Sequence, residues 1–259
     1  MSFLRSMLIS ATVLLMTCSA QADYTVYDYE VVRSYPHNTN AFTQGLQIHD
    51  GYLYEGTGRL GRSTLSQISL EDGAVLKSKR LASRYFGEGI TIVEDKIYQL
   101  TWQTNIVFVY DLETFETITS HYYPTEGWGL TWDGTHLILS DGTPKLQFLD
   151  PETFTVQRTV DVQWEGNPVT YLNELEYING EVWANVWQTN EIVRIDPQSG
   201  AVTGIIDLTG LADQTTTGGS EAVLNGIAWQ ATDDVGNGRL FVTGKLWGNI
   251  FEIKLIPRE

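Results

Sequence analysis

The residues able to carry chemistry are few, and their settings are unusual. Tyr85 to Val93 reads YFGEGITIV, with one carboxylate, Glu88, between Gly87 and Gly89 at the start of an apolar run. Val, Ile and Thr dominate that run, which predicts a strand. Glycine weakens a strand, and a flanked acid gains nothing there from packing. Paired with Glu174 or Glu176 of "NELEY", Glu88 would suit the two-carboxylate chemistry of glycoside hydrolysis. Lys245 lies between Gly244 and Leu246-Trp247, a poor setting for a solvated charge. An ion pair with Glu88 is the plain structural reading of both residues, since a buried acid needs a partner. Other chemistries lack their residues. His37, His49, His121 and His136 show no ligand spacing, so no metal is expected. Cys18 is the only cysteine and lies near the start, which leaves no thiol nucleophile or disulfide downstream. No phosphate-binding glycine loop is present.

The elements that must position these residues repeat along the chain. A unit begins at "QGLQI" (Gln44–Ile48) and recurs at "EGITI", "WGLTW", "NELEY" and "NGIAW". A second strand follows each, such as "GYLYEGTG" and "GEVWANVW", and then a third, such as "LSQISL" and "EIVRID". Asp, Pro and Gly turns such as "DPETF" and "DPQSG" lead into fourth strands. The last unit stops after "IFEIKLIPRE" without a fourth strand, while "YTVYDYEVVRSYP" precedes the first unit as an extra one. Pairing the two would cover an exposed edge. The expected fold is all-β: a five-bladed β-propeller, its ring closed by the N-terminal strand pairing with the last blade.

In a propeller the first strand of each blade lines the central channel. The residues opening those strands then converge at one mouth: Gln44, Glu88, Trp128, Asn173 and Asn225. Residues ending the second strands approach the same end: Trp102, Asp141, Trp187 and Lys245. The glycines beside Glu88 let backbones crowd a narrow axis, and Glu88 points into the mouth. Each candidate also has a plainer role. The tryptophans can pack between blades, the asparagines can serve turns, and Gln44 can bond neighbouring backbone.

The first 22 residues have the three parts of a secretory signal peptide: Arg5, an apolar core from Met7 to Met16, and Ala20-Gln21-Ala22. Residues 1–22 are expected to be removed, leaving 23–259 as a single domain in the periplasm or outside the cell. A lipoprotein centred on Cys18 is the rival, with Thr17 where a small residue is usual. The net charge of −16 argues against nucleic acid and anionic membranes as partners. A monomer is expected, with no membrane attachment after cleavage.

The stretches "YPHNTNAFTQGL", "YFGEGIT", "IYQLTWQ", "GWGLTWDG", "LILSDGT", "LNELEYINGEVWANVW", "LNGIAW" and "FVTGKLW" run in order over nearly all of the chain. With them the sequence resembles the plant and bacterial type of glutaminyl-peptide cyclotransferase. That resemblance implies a five-bladed propeller without cofactor or catalytic metal, acting on peptides or proteins with a free N-terminal glutamine. The α-amine attacks the side-chain carboxamide, ammonia leaves and a pyroglutamyl ring remains. The resemblance makes Glu88 the proton shuttle. It makes Phe42, Phe86, Trp102, Trp128 and Trp187 the aromatic wall, and Gln44, Asn173 and Lys245 the polar contacts. Two rivals stay open: the paired-carboxylate glycoside hydrolase and a propeller that binds without turnover.

Overall fold

The computed structural model describes residues 24–232 and 236–259. The signal-peptide segment and the Cys18 alternative lie outside the described residues. Strand β1 spans Thr25–Pro36. The first repeat unit forms β2 (Thr43–His49), β3 (Tyr52–Thr57), β4 (Thr64–Ile68) and β5 (Val75–Arg80). The second forms β6 (Gly87–Val93), β7 (Lys96–Thr101), β8 (Ile106–Asp111) and β9 (Thr117–Tyr122). The third forms β10 (Leu130–Trp132), β11 (Leu137–Ser140), β12 (Lys145–Leu149) and β13 (Val156–Asp161). A small hairpin, β14 (Gln163–Trp164) and β15 (Asn167–Pro168), then leads to β16 (Leu172–Ile178), β17 (Glu181–Val186), β18 (Glu191–Ile195) and β19 (Val202–Asp207). The last unit has β20 (Leu224–Ala231), β21 (Gly238–Gly244) and β22 (Asn249–Pro257).

The fold is all-β, and each unit is an antiparallel meander in chain order. β1 pairs antiparallel with β22 from Tyr27↔Pro257 to Pro36↔Asn249. It also does something the repeat pattern does not predict: Thr25–Tyr27 pairs parallel with Gly204–Ile206 of β19. The last two units thereby join in one eight-stranded sheet, ordered β16-β17-β18-β19-β1-β22-β21-β20. The physical cause is an open edge. β19 is the outer strand of its unit, and its free N–H and C=O groups take the first residues of β1.

The inner strands pack on one another at close range. β2 packs against β6 and β20, β10 against β6 and β16, and β16 against β20. Glycine makes this possible. A Cβ on Gly45 would stand 2.4 Å from Ile90 N, one on Gly89 2.7 Å from Leu130 N, and one on Gly129 1.9 Å from Asn173 O. An inner strand has a sheet partner on one side only, so the backbone donors of its other edge are buried and need acceptors. Gly89 N donates to Trp128 O at 2.8 Å. Ile92 N donates to the Gln47 side chain at 2.7 Å. The fourth unit has no glycine at this step, and Glu174 spans instead. Its carboxylate accepts Leu46 N at 3.0 Å and Ile227 N at 2.8 Å, linking β16 to β2 and β20. Glu176 accepts Trp229 N at 3.1 Å.

Candidate active site

Side chains at the start of the first strands and just after the second strands converge on one place. Gln44, Glu88 and Asn173 lie in the opening residues of β2, β6 and β16, with Phe42, Phe86 and Trp128 just before β2, β6 and β10. Trp102, Trp187 and Lys245 directly follow β7, β17 and β21. The residues after the last two, Gln188 and Leu246, take left-handed backbone (φ 68° and 60°), which turns the chain sharply at that point. All of these candidates line a single cavity of about 410 Å³. Two further candidates do not. Asp141 faces its own turn, accepting Thr143 N and the Gln147 side chain. Asn225 lies behind the cavity wall, donating to Thr43 O at 2.9 Å and to Gln44 Oε1 at 3.3 Å. That contact occupies the Gln44 carbonyl and leaves its N–H₂ as the group that lowers the proton affinity of Glu88.

Glu88 is 4% exposed. Burial raises its proton affinity well above the ordinary carboxylate value; Lys245 and the Gln44 hydrogen bond oppose this, and the Glu126 charge adds to it. Lys245 is equally buried. Burial lowers its pKa to about 8, against the pull of Glu88 and Glu221. Its ammonium also stands 4.8 Å from the Phe42 ring centroid. The site thus holds a carboxyl that keeps its proton longer than usual beside an ammonium that loses its proton sooner. Asn173 adds a buried Oδ1 with no hydrogen-bond partner.

The aromatic wall is built as two arcs. Phe42 meets Phe86 edge-on at 6.2 Å, and Phe86 meets Trp102 at 5.7 Å. On the other side Trp128 meets Trp187 edge-on at 5.6 Å, and Trp187 meets Tyr171 at 6.0 Å. Gly142 lies flat on the Trp128 indole; a Cβ there would approach it to 2.6 Å.

Several contributors escape the reading of the repeat. Arg59, Gln188, Ser220, Glu221 and Val223 also line the cavity. Arg59 stacks on Phe42 at 4.4 Å and pairs with Glu221 at 2.7 Å, tying the loop after β3 to the loop before β20. Glu126 accepts the indole N–H of Trp102 at 2.8 Å and of Trp128 at 3.1 Å. Its only sequence signal is a carboxylate two residues before a tryptophan in "TEGWG". The second acids of a paired-carboxylate site are elsewhere. Glu174 and Glu176 do not line the cavity, and both hold backbone N–H groups between strands. Among the described residues no group of three or more His, Cys, Asp or Glu side chains is arranged to hold a metal ion.

The family model described as glutamine cyclotransferase matches residues 5–255. The glutaminyl-peptide cyclotransferase of Arabidopsis thaliana is 42% identical over 241 residues, covering 92% of this chain and 74% of that protein. The crystal structure of Myxococcus xanthus glutaminyl cyclase superposes with a TM-score of 0.85 at 38% identity, covering 92% of this chain and 100% of that one. With a family match over nearly its whole length and relatives of this closeness, the chain belongs to the glutamine cyclotransferase family.

Proposed function

We propose that this protein converts the N-terminal glutamine of peptides or proteins to pyroglutamate with release of ammonia, on a five-bladed propeller. The observation that carries the reading is the meeting of Glu88, Lys245, Asn173 and Gln44 inside one aromatic-walled cavity. The propeller rests on the run of packed inner strands, β2 on β6, β6 on β10, β10 on β16, β16 on β20 and β20 on β2. In this reading β1 supplies the fourth strand of the last blade, which closes the ring.

The neutral α-amine attacks Cδ of its own side chain. A C–N bond forms, and the carboxamide oxygen becomes an oxyanion. Glu88 takes the amine proton and passes it to the departing nitrogen, which leaves as ammonia when the tetrahedral centre collapses to the lactam. A carboxylate with raised proton affinity is the better base for this shuttle, typically worth about 10²–10⁴-fold. The Lys245 ammonium, itself buried, stabilises the oxyanion. The free Asn173 Oδ1 accepts a substrate N–H, and the aromatic arcs hold the folded-back glutamine in its ring-forming shape. The paired-carboxylate reading falls away because Glu174 and Glu176 serve the backbone.

The same reading has the protein exported as a monomer after cleavage at Ala22, and it uses no metal. The deciding experiment incubates the purified protein with a Gln-initiated peptide and follows ammonia and the matching mass loss. Turnover that vanishes on α-acetylation and survives exhaustive chelation is expected. Equal turnover of internal glutamine, or binding without turnover, would refute the reading.

A further inference from the structure

The facing ends of the two aromatic arcs, Trp102 and Trp128, come from different sheets and meet at one side chain. Trp102 follows β7 and Trp128 precedes β10. The same atom, Glu126 Oε2, accepts the indole N–H of both, at 2.8 and 3.1 Å. The other carboxylate oxygen accepts the Gln103 side chain at 3.3 Å. The segment carrying Glu126 is itself held. Tyr123 donates its hydroxyl to Thr101 O, and Thr125 O accepts the Asn105 side chain. Gly127 lies against the Tyr123 ring, where a Cβ would stand 2.5 Å from the hydroxyl. A charge-assisted acceptor on a fixed backbone restrains both indoles more strongly than ring packing alone.

The geometry points to Glu126 as a positioning residue that sets the spacing of the two aromatic arcs, and with it the fit of the glutamine side chain between them. Glu126 is not among the residues lining the cavity and meets the substrate through Trp102 and Trp128; its charge separately raises the proton affinity of Glu88, an effect read in kcat and its pH profile and not in KM. This inference rests on the proposed cyclotransferase reading, in which those indoles enclose the substrate. It also assigns a requirement: one acceptor oxygen must reach two donors, so an amide carbonyl in the same place can replace the carboxylate.

The test is a double-mutant cycle on turnover of a Gln-initiated peptide, with a melting temperature for every variant. E126A is expected to lower kcat/KM by roughly ten- to hundredfold, chiefly through KM, because only part of the worth of the two hydrogen bonds is felt in substrate binding. W102F and W128F each remove one donor. In the E126A background either is expected to cost far less than alone, because contacting residues are non-additive. E126Q is expected to restore most of the loss in KM, since it returns the acceptor oxygen without the charge. Additive effects, or an E126Q variant as impaired in KM as E126A, would overturn the inference. Should E126A not fold, E126D carries the same cycle, since it keeps the charge but withdraws the oxygen by one methylene. If the wild type shows no turnover, the cyclotransferase reading fails separately, and the cycle is read on the dissociation constant of the peptide.

Discussion

At the residue scale, the proposed chemistry rests on two buried groups whose proton affinities move in opposite directions. Glu88→Gln keeps shape and hydrogen-bonding reach but cannot take the amine proton. We expect kcat to fall by about 10²–10⁴, or roughly 3–5 kcal/mol of barrier. The melting temperature should change little, since losing a confined charge also removes its desolvation cost. Measuring both on one variant separates proton shuttle from scaffold: a lower melting temperature with turnover intact would make Glu88 an ion-pair partner. Lys245 makes a pH prediction. Its pKa, lowered to about 8 by burial, puts loss of the ammonium near the point where the substrate amine becomes neutral. The pH profile of kcat should therefore fall on its alkaline side from about 8. Lys245→Met should lose most activity and that limb with it; an unchanged limb would assign it to another group.

At the scale of strands, close approach of the inner edges is the constraint. A Cβ on Gly129 would stand 1.9 Å from the Asn173 carbonyl, which cannot swing aside as a side chain can. Gly129→Ala should cost about 3 kcal/mol or more in urea unfolding, beyond ordinary overpacking. Gly134→Ala, with φ +93° but nothing within 4 Å, should cost only the left-handed strain of about 1–2 kcal/mol. Glu176 adds a pH dependence. Burial raises its pKa from 4.5 to about 8. Between those values the folded state binds more protons than the unfolded one, so stability falls as pH rises and levels off above about 8. Glu174 and His37 are raised too and act in the same direction. A tenfold change in proton affinity is worth about 1.4 kcal/mol, or about 2–4 °C in a chain of this size. Glu176→Gln keeps the acceptor for Trp229 N, so its melting temperature should drop less than the wild type's between pH 5 and 9. An identical drop would locate the titration elsewhere.

At the scale of the whole molecule, β1 decides whether the outer edges of the last two units are covered. It pairs with β22 along most of its length and with β19 at its start. Tyr35 is fully buried, with its hydroxyl against Glu252 at 2.9 Å and Arg239 at 2.5 Å. Deleting residues 23–36 should expose two strand edges and yield aggregate instead of a cooperative melt. Deleting residues 1–22 should leave the melt unchanged, and the exported protein should start at Asp23 by intact mass. A lipidated Cys18 would contradict that start.

The repeat was legible because it is local. Each unit writes its strands as alternating or β-branched runs and its turns as Asp, Pro and Gly, so neighbours along the chain carry the whole signal. Most positions facing the cavity follow from the same register, which brings equivalent residues of different units to one end. Glu88 was legible for a further reason: its flanking glycines mark a backbone approach that no side chain could tolerate. What remained hidden depends on side chains meeting across units. Asp141 and Asn225 hold register positions equivalent to true lining residues, yet one turns to Gln147 and the other supports Gln44 from behind. Glu126 lies outside the repeat positions, and its tie to the aromatic wall exists only because two indoles from different sheets reach one of its oxygens. Glu174 and Glu176 look like catalytic acids in the sequence and prove to be acceptors for orphan backbone donors. Periodicity along the chain determines which residues share a face. Only the tertiary structure decides which partners those residues find, because the distances between units are set by packing and not by sequence separation.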